Sequence, residues 1–330
     1  ELSVTGGADM TFSSVSNSTT GNPIGIGSNF TINGSSELDN GWAYDLAIAH
    51  TNAGAYSAAT INIDMQGLGK LTFDQGSSAN GIQAFDDKMP TAWEESWGNG
   101  LSTGVRLVSG SGTSDNIMYT SPTLIGTTLT LTLAPEYGST DTGDKSSGVA
   151  GNNNKRSYDA TINVNPSLGT EILSGLNVFV GASTIEMQEA NPTDNADQYQ
   201  AVAGFTYSLG PLEIGLQTNG EYTGIDDNGD GEATTGSNVY QAIAYGIAFN
   251  VNDDLSFSYN TYEEKKKGRI QSAGGTDEAL RFINVESFQV AYTMGGASVR
   301  IADTAVDNAA YGQNANDDKS ATIVSLGLAF

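Results

Sequence analysis

Two short runs hold the residues best placed to do chemistry: Phe85-Asp86-Asp87-Lys88-Met89-Pro90 and Trp93-Glu94-Glu95-Ser96-Trp97. Four carboxylates, Asp86, Asp87, Glu94 and Glu95, interleave with three large aromatics. At a narrow, water-filled point with low-dielectric walls, such carboxylates concentrate cations and repel anions. Phe85, Trp93 and Trp97 are the side chains that would pin the segment to a wall. The competing reading is an exposed acidic hairpin in an acidic protein, which leaves three aromatics in water without a reason.

Three other constellations are weaker. Asp226-Asp227-Asn228-Gly229-Asp230-Gly231-Glu232 places oxygen ligands at Asp226, Asn228 and Asp230, with Glu232 following, as in the first half of a calcium loop. Position twelve is Ser237 in place of a bidentate glutamate, so the expectation is a loop calcium site or a solvated acidic turn. Asp194 with Asp197, and Asp317 with Asp318, are lesser versions. Glu263-Glu264-Lys265-Lys266-Lys267-Gly268-Arg269 is the only basic cluster. It is expected on a long external loop, either solvated or facing lipopolysaccharide phosphates. His50 is the sole histidine, and no serine beside it stands out as a nucleophile. No phosphate-cradling loop, zinc spacing or nucleophile elbow is present. The expectation is a non-enzyme with no required cofactor.

The elements around these residues alternate with period two, the mark of strands with one greasy and one polar face. Val324, Leu326, Leu328 and Phe330 share one parity at the end of the chain. Similar runs begin at Leu2, Phe30, Trp42, Ile61 and Leu71, break from about 76 to 112, and resume at Ile117. They continue to the terminus with short turns such as Gly210-Pro211 and Gly295-Gly296 alternating with long polar loops. About sixteen strands result, with the asymmetric ends and dyad alternation of a single-domain outer-membrane barrel over residues 1–330. The polar parity carries Asn29, Asp45, Asp64, Asp74, Gln200 and Thr206, too polar for a packed interior. Aromatics including Phe12, Phe73, Tyr199, Tyr259, Tyr262 and Tyr292 fall near strand ends, as interface girdles do.

Composition narrows the choice. Among 330 residues there are 41 glycines, 7 prolines, no cysteine, and 13 basic against 38 acidic side chains, for a net charge of −25. That balance argues against nucleic acid and favours cations. No run approaches the roughly 20 apolar residues of a spanning helix. Glu1 is not an initiator methionine, so the chain reads as a mature form. A secreted or surface-bound calcium-binding β-rich adhesin is the rival from another class. A substrate-specific channel is the nearer rival, but neither a lumenal aromatic run nor a set of lumenal arginines is evident.

Several segments resemble the general porins of Gram-negative bacteria. They are Asp115-Asn116-Ile117-Met118-Tyr119-Thr120-Ser121-Pro122 with Gly126 before Leu129, Gly69-Lys70-Leu71-Thr72-Phe73, and the two chain ends. The resemblance implies a sixteen-stranded antiparallel barrel, trimeric, passing small hydrophilic solutes by diffusion. Its third long loop would fold inward as the constriction, and Phe330 would be read in assembly. In that family arginines usually face the loop; a rough alignment puts Asn29, Gln75 and Thr120 at those places, all expected toward the lumen. Lys70, Arg106 and Arg300 are the remaining candidate cations, with Arg300 expected inward between Val299 and Ile301. The expectation is a cation-preferring pore in an outer membrane, in contact with lipid and lipopolysaccharide.

Overall fold

The computed structural model describes residues 2–16, 23–51, 56–76, 79–97, 100–138, 154–166, 171–187, 196–224, 237–269, 279–314 and 316–329. Among them are sixteen strands. The first eight are β1 (Leu2–Val15), β2 (Ile24–Glu37), β3 (Ala43–Thr51), β4 (Tyr56–Asp64), β5 (Lys70–Gln75), β6 (Asp115–Thr120), β7 (Thr127–Ala134) and β8 (Asn154–Val164). The rest are β9 (Leu176–Met187), β10 (Gln198–Leu209), β11 (Leu212–Tyr222), β12 (Ser237–Asn250), β13 (Leu255–Arg269), β14 (Arg281–Met294), β15 (Ala297–Asp307) and β16 (Lys319–Ala329). Each pairs antiparallel with its neighbours in sequence, and β16 pairs with β1, so the barrel is closed and no strand edge is free.

Register explains the two faces. Residues directly opposite in an antiparallel pair point the same way. Leu46 lies opposite Ile61, Ile61 opposite Phe73, Phe73 opposite Ile117, Ile117 opposite Leu133, and Leu133 opposite Tyr158. All six are exposed, so the row presents hydrocarbon outward across six strands. The residues one step along form the inner row: Asp45, Asn62, Thr72, Met118, Thr132 and Asp159. The outward apolar surface continues through Ile243, Ile247, Phe288, Ile301, Val324 and Met10, far beyond the isolated patches that water tolerates. Among the described residues, no helix is long and apolar enough to cross a membrane.

Three expectations need correction. Gln75 shares the outward parity of Leu71 and Phe73, while Thr72 and Asp74 point inward; family alignment had overridden the alternation. Tyr262 is not a girdle residue: it points inward, is 1% exposed, and meets Trp97 in a tilted ring contact at 5.7 Å. Glu263 to Arg269 are not loop but the end of β13, paired residue by residue with β12 as far as Arg269 opposite Ser237. Their charge hides the alternation, in which Glu264 faces in and Lys265 out.

Candidate functional site

The segment between β5 and β6 has no strand of its own, so its backbone groups need other partners. Side chains of the inner wall supply them. Asp159 of β8 accepts from Ile82 N–H at 3.1 Å, and Gln217 of β11 donates to the carbonyls of Phe85 and Asp86 at 3.1 and 2.8 Å. Asn260 of β13 donates to Pro90 O at 2.6 Å, and Ser258 accepts from Ala92 N–H at 2.8 Å. Gln289 of β14 takes Trp93 N–H and Glu94 N–H at 3.0 and 2.9 Å and donates back to Glu94 O. On the return, Glu264 accepts Arg106 N–H, Gln200 accepts Ser109 and Gly110 N–H, and Asp159 accepts Ser111 N–H. The loop therefore lies inside the barrel, sewn across the wall from β8 to β14 and back.

Two inward glycines make room for it. A Cβ at Gly215 would stand 2.7 Å from Pro90 Cδ, and one at Gly246 would stand 3.0 Å from Met89 Cβ. Apolar contacts complete the seat. Phe85 stacks on Phe179 at 5.1 Å beside Ile82, Val108 and Val202. A second cluster joins Met89 and Leu101 to the inward Tyr240, Tyr262, Ile283, Val285 and Val306. The connection after β15 enters it too: Tyr311 is buried and Ala310 N–H donates to Thr103 O at 2.7 Å.

The interior is thus divided. Under the loop, the wall of β8 to β15 is dry, with Gln217, Gln289, Glu264 and Asn260 at most 2% exposed. On β1 to β4 the inward Thr5, Asp9, Asn29, Asp45 and Asp64 are exposed to solvent. Water-accessible polar wall runs along β1 to β4, and the loop covers the inner wall from β5, where Asn80 donates to Asp74, round to β15.

Asp86, Asp87, Glu94 and Glu95 are brought together, half-buried, with Glu95 acting on each of the other three. Burial, then Glu95, raises Asp87 to about 8. Burial likewise raises Asp86 to about 6, against Lys88 and a backbone hydrogen bond that lower it, and burial also raises Glu94. Both aspartates are therefore neutral at pH 5 and charged at pH 9. A raised carboxyl favours the folded state most below its ordinary pKa, and this contribution is lost as pH rises through the folded value. Cation preference should accordingly climb between pH 5 and pH 9, read as the reversal potential in a fixed salt gradient. A flat profile would show the cluster to lie off the ion path.

The candidate cations distribute differently. Arg300 points inward, ion-pairs with Asp9 and lies 5.0 Å from the centre of the Trp93 ring. Arg106 sits on the returning limb and is held by Glu221 at 2.7 Å and over Tyr240 at 5.3 Å, which makes it part of the seat. Lys70 and Thr120 face inward opposite each other, but at the short-turn rim beside Met65–Gly69, away from the loop. The alignment that grouped them with the constriction matched strand order and not depth. Asn29 stands on the exposed wall opposite Thr51. His50 faces out and stacks at 4.8 Å on Phe30.

The calcium-loop residues Asp226, Asn228, Asp230 and Glu232 lie outside the described residues, as do Asp194 and Phe330. Among the described residues, no group of three or more metal-ligating side chains is placed to hold a metal ion, Asp197, Asp317 and Asp318 included. Asp197 instead accepts Met187 N–H at 3.1 Å, and Asp317 and Asp318 tie down the last loop at Asn314 and Asn308. The residues that fasten the loop, Asp159, Gln217, Asn260, Glu264 and Gln289, went unrecognised in the sequence as fasteners.

No family model and no curated protein sequence matches the chain. Solved structures do match over its whole length. Salmonella typhi OmpF in complex with daunomycin aligns at TM-score 0.66 with 12% identity, covering 100% of this chain and 97% of that one. An anion-selective porin from Comamonas acidovorans aligns at 0.65 with 13% identity, covering 100% of both chains. The trimer form of OmpT, an outer membrane protein of Vibrio cholerae, aligns at 0.64 with 11% identity, covering 100% and 99%. The chain has the fold of these sixteen-stranded barrels.

Proposed function

We propose that the protein is an outer-membrane porin through which small hydrophilic solutes diffuse passively, with cations preferred. One observation carries the reading: the loop packs inside a closed barrel whose outer face is hydrocarbon, and the inner wall of β1 to β4 stays wet and polar. Solutes keep their hydration along that wall, so no energy source and no covalent step is assigned. The outward belt of Ile, Leu, Val and Phe fits lipid and weighs against a soluble adhesin. Asp9 and Asp45 stand on the exposed wall, with Asp9 close enough to repel Glu94 of the loop, and acid on both sides favours cations. The trimer form of the Vibrio cholerae protein supports assembly in threes; lipopolysaccharide at the long-loop rim is a separate part of the proposal.

Liposomes carrying the purified protein should swell in iso-osmotic uncharged sugars at rates that fall with sugar size. Liposomes that stay impermeable would overturn the channel. Calcium at Asp226, Asn228, Asp230 and Glu232 is part of the same proposal. Chelation should lower the melting temperature of the detergent-extracted barrel, and an unchanged melting curve removes the ion.

A further inference from the structure

The pair Arg300–Asp9 is built with more care than charge balance alone requires. Arg300 stands opposite Ser325 on β16, and Asp9 stands opposite Gly327, so the guanidinium crosses β16 diagonally to reach its partner. It passes directly over Gly327, where any Cβ would collide with Arg300 Nη2 and lie 2.6 Å from Asp9 Oδ1. Nη2 also donates to Ser325 Oγ at 3.1 Å, while Nε has no hydrogen-bond partner. The ring of Trp93, from the tip of the inward loop, covers the other side at 5.0 Å. Arg300 is 18% exposed and Asp9 53%, so the cation is shielded and the carboxylate faces the bore. These residues border a lumenal recess of about 540 Å³ at the seam where the first and last strands meet.

The guanidinium also stands between two acids that would otherwise repel. Glu94, next to Trp93, feels Arg300 as an attraction and Asp9 as a repulsion. Gln289 fixes the backbone of Trp93 and Glu94, so the tip is held from β14 and stacked upon from β15. Arginine suits this place because its planar cation pairs edge-on with a carboxylate while stacking face-on against an aromatic.

We propose that Arg300 is the residue that sets specificity in this pore: locked to Asp9 across Gly327 and roofed by Trp93, it holds the acidic tip at the barrel seam and fixes how much negative charge the bore presents. The inference rests on the channel reading above. Its solute class is small hydrated cations, admitted because the one shielded cation at the seam leaves the neighbouring carboxylates in excess.

The test measures reversal potential and current noise in bilayers for two variants of one pair. Asp9→Asn keeps shape but uncovers the cation, and should lower the cation-to-anion permeability ratio about two-fold. Arg300→Gln removes the cation, and should raise that ratio about two-fold while current noise grows as the tip loosens. Arg300→Lys should restore the ratio but not the quiet current, since a point charge does not stack as a planar one does. Gly327→Ala should mimic the noise of Arg300→Gln without removing any charge. Opposite shifts from the two partners are not expected of a merely structural contact. Shifts in the same direction, or none, in a protein that conducts would overturn this inference alone. A wild-type protein that carries no current would overturn the channel reading with it.

Discussion

Replacing Asp86, Asp87, Glu94 and Glu95 together by their amides is expected to abolish most of the cation preference measured at pH 9. A carboxylate roughly 8 Å from a passing ion in water contributes about 0.5 kcal/mol. Four such charges sum to about 2 kcal/mol, and screening over roughly 10 Å at 0.1 M salt leaves about half of it. About 1 kcal/mol corresponds to a roughly five-fold fall in the permeability ratio. The amides keep the shape of the loop, and its backbone hydrogen bonds to Gln217, Asn260 and Gln289 do not involve these side chains. Conductance should therefore change much less than selectivity. An unchanged ratio would move charge selection to Asp9 and Asp45 on the exposed wall.

The second large effect is expected at Asp159→Ala. This one carboxylate, 3% exposed, accepts Ile82 N–H where the loop departs and Ser111 N–H and Oγ–H where it returns. Truncation leaves two buried amides with no acceptor, a cost of about 2–5 kcal/mol in total. Both ends of the loop are released at once. The folded barrel should lose its compact form in detergent at a clearly lower temperature, and single channels should flicker between levels. Asp159→Asn keeps one acceptor oxygen and should fall between the two. Wild-type melting and steady current in the alanine variant would show that the apolar seat of Ile82, Phe85 and Phe179 holds the loop unaided.

Strand number, antiparallel order and the outward hydrocarbon face were legible because alternation is local: each strand announces its two faces in its own residues. The loop was legible as an interruption of that pattern rich in acid and aromatic side chains. What the loop rests on was not. Gln200 reads as a wet lumenal position, yet it is buried against Ser109 and Gly110 of the loop, since a polar side chain in an alternating strand looks the same whether it meets water or a buried backbone. Tyr262 reads as a girdle residue, because an apolar residue on the polar parity has meaning only once another part of the chain covers it. Gln75 went astray where motif likeness was given more weight than the alternation from Leu71 through Phe73. Depth along the strand was equally hidden, which is why Lys70 and Thr120 were grouped with a site they do not reach.

The central claim is that the inner wall of β1 to β4 is wet and that of β8 to β15 is sealed beneath the loop. The chain has no cysteine, so an introduced thiol is unique. Current through single-cysteine variants should be measured while a membrane-impermeant, charged thiol reagent is added. Asn29→Cys is predicted to be blocked quickly, whereas Phe30→Cys, facing lipid, and Val202→Cys, beneath the loop, keep their current. Block at Val202→Cys as fast as at Asn29→Cys, or block at no position, would contradict the account.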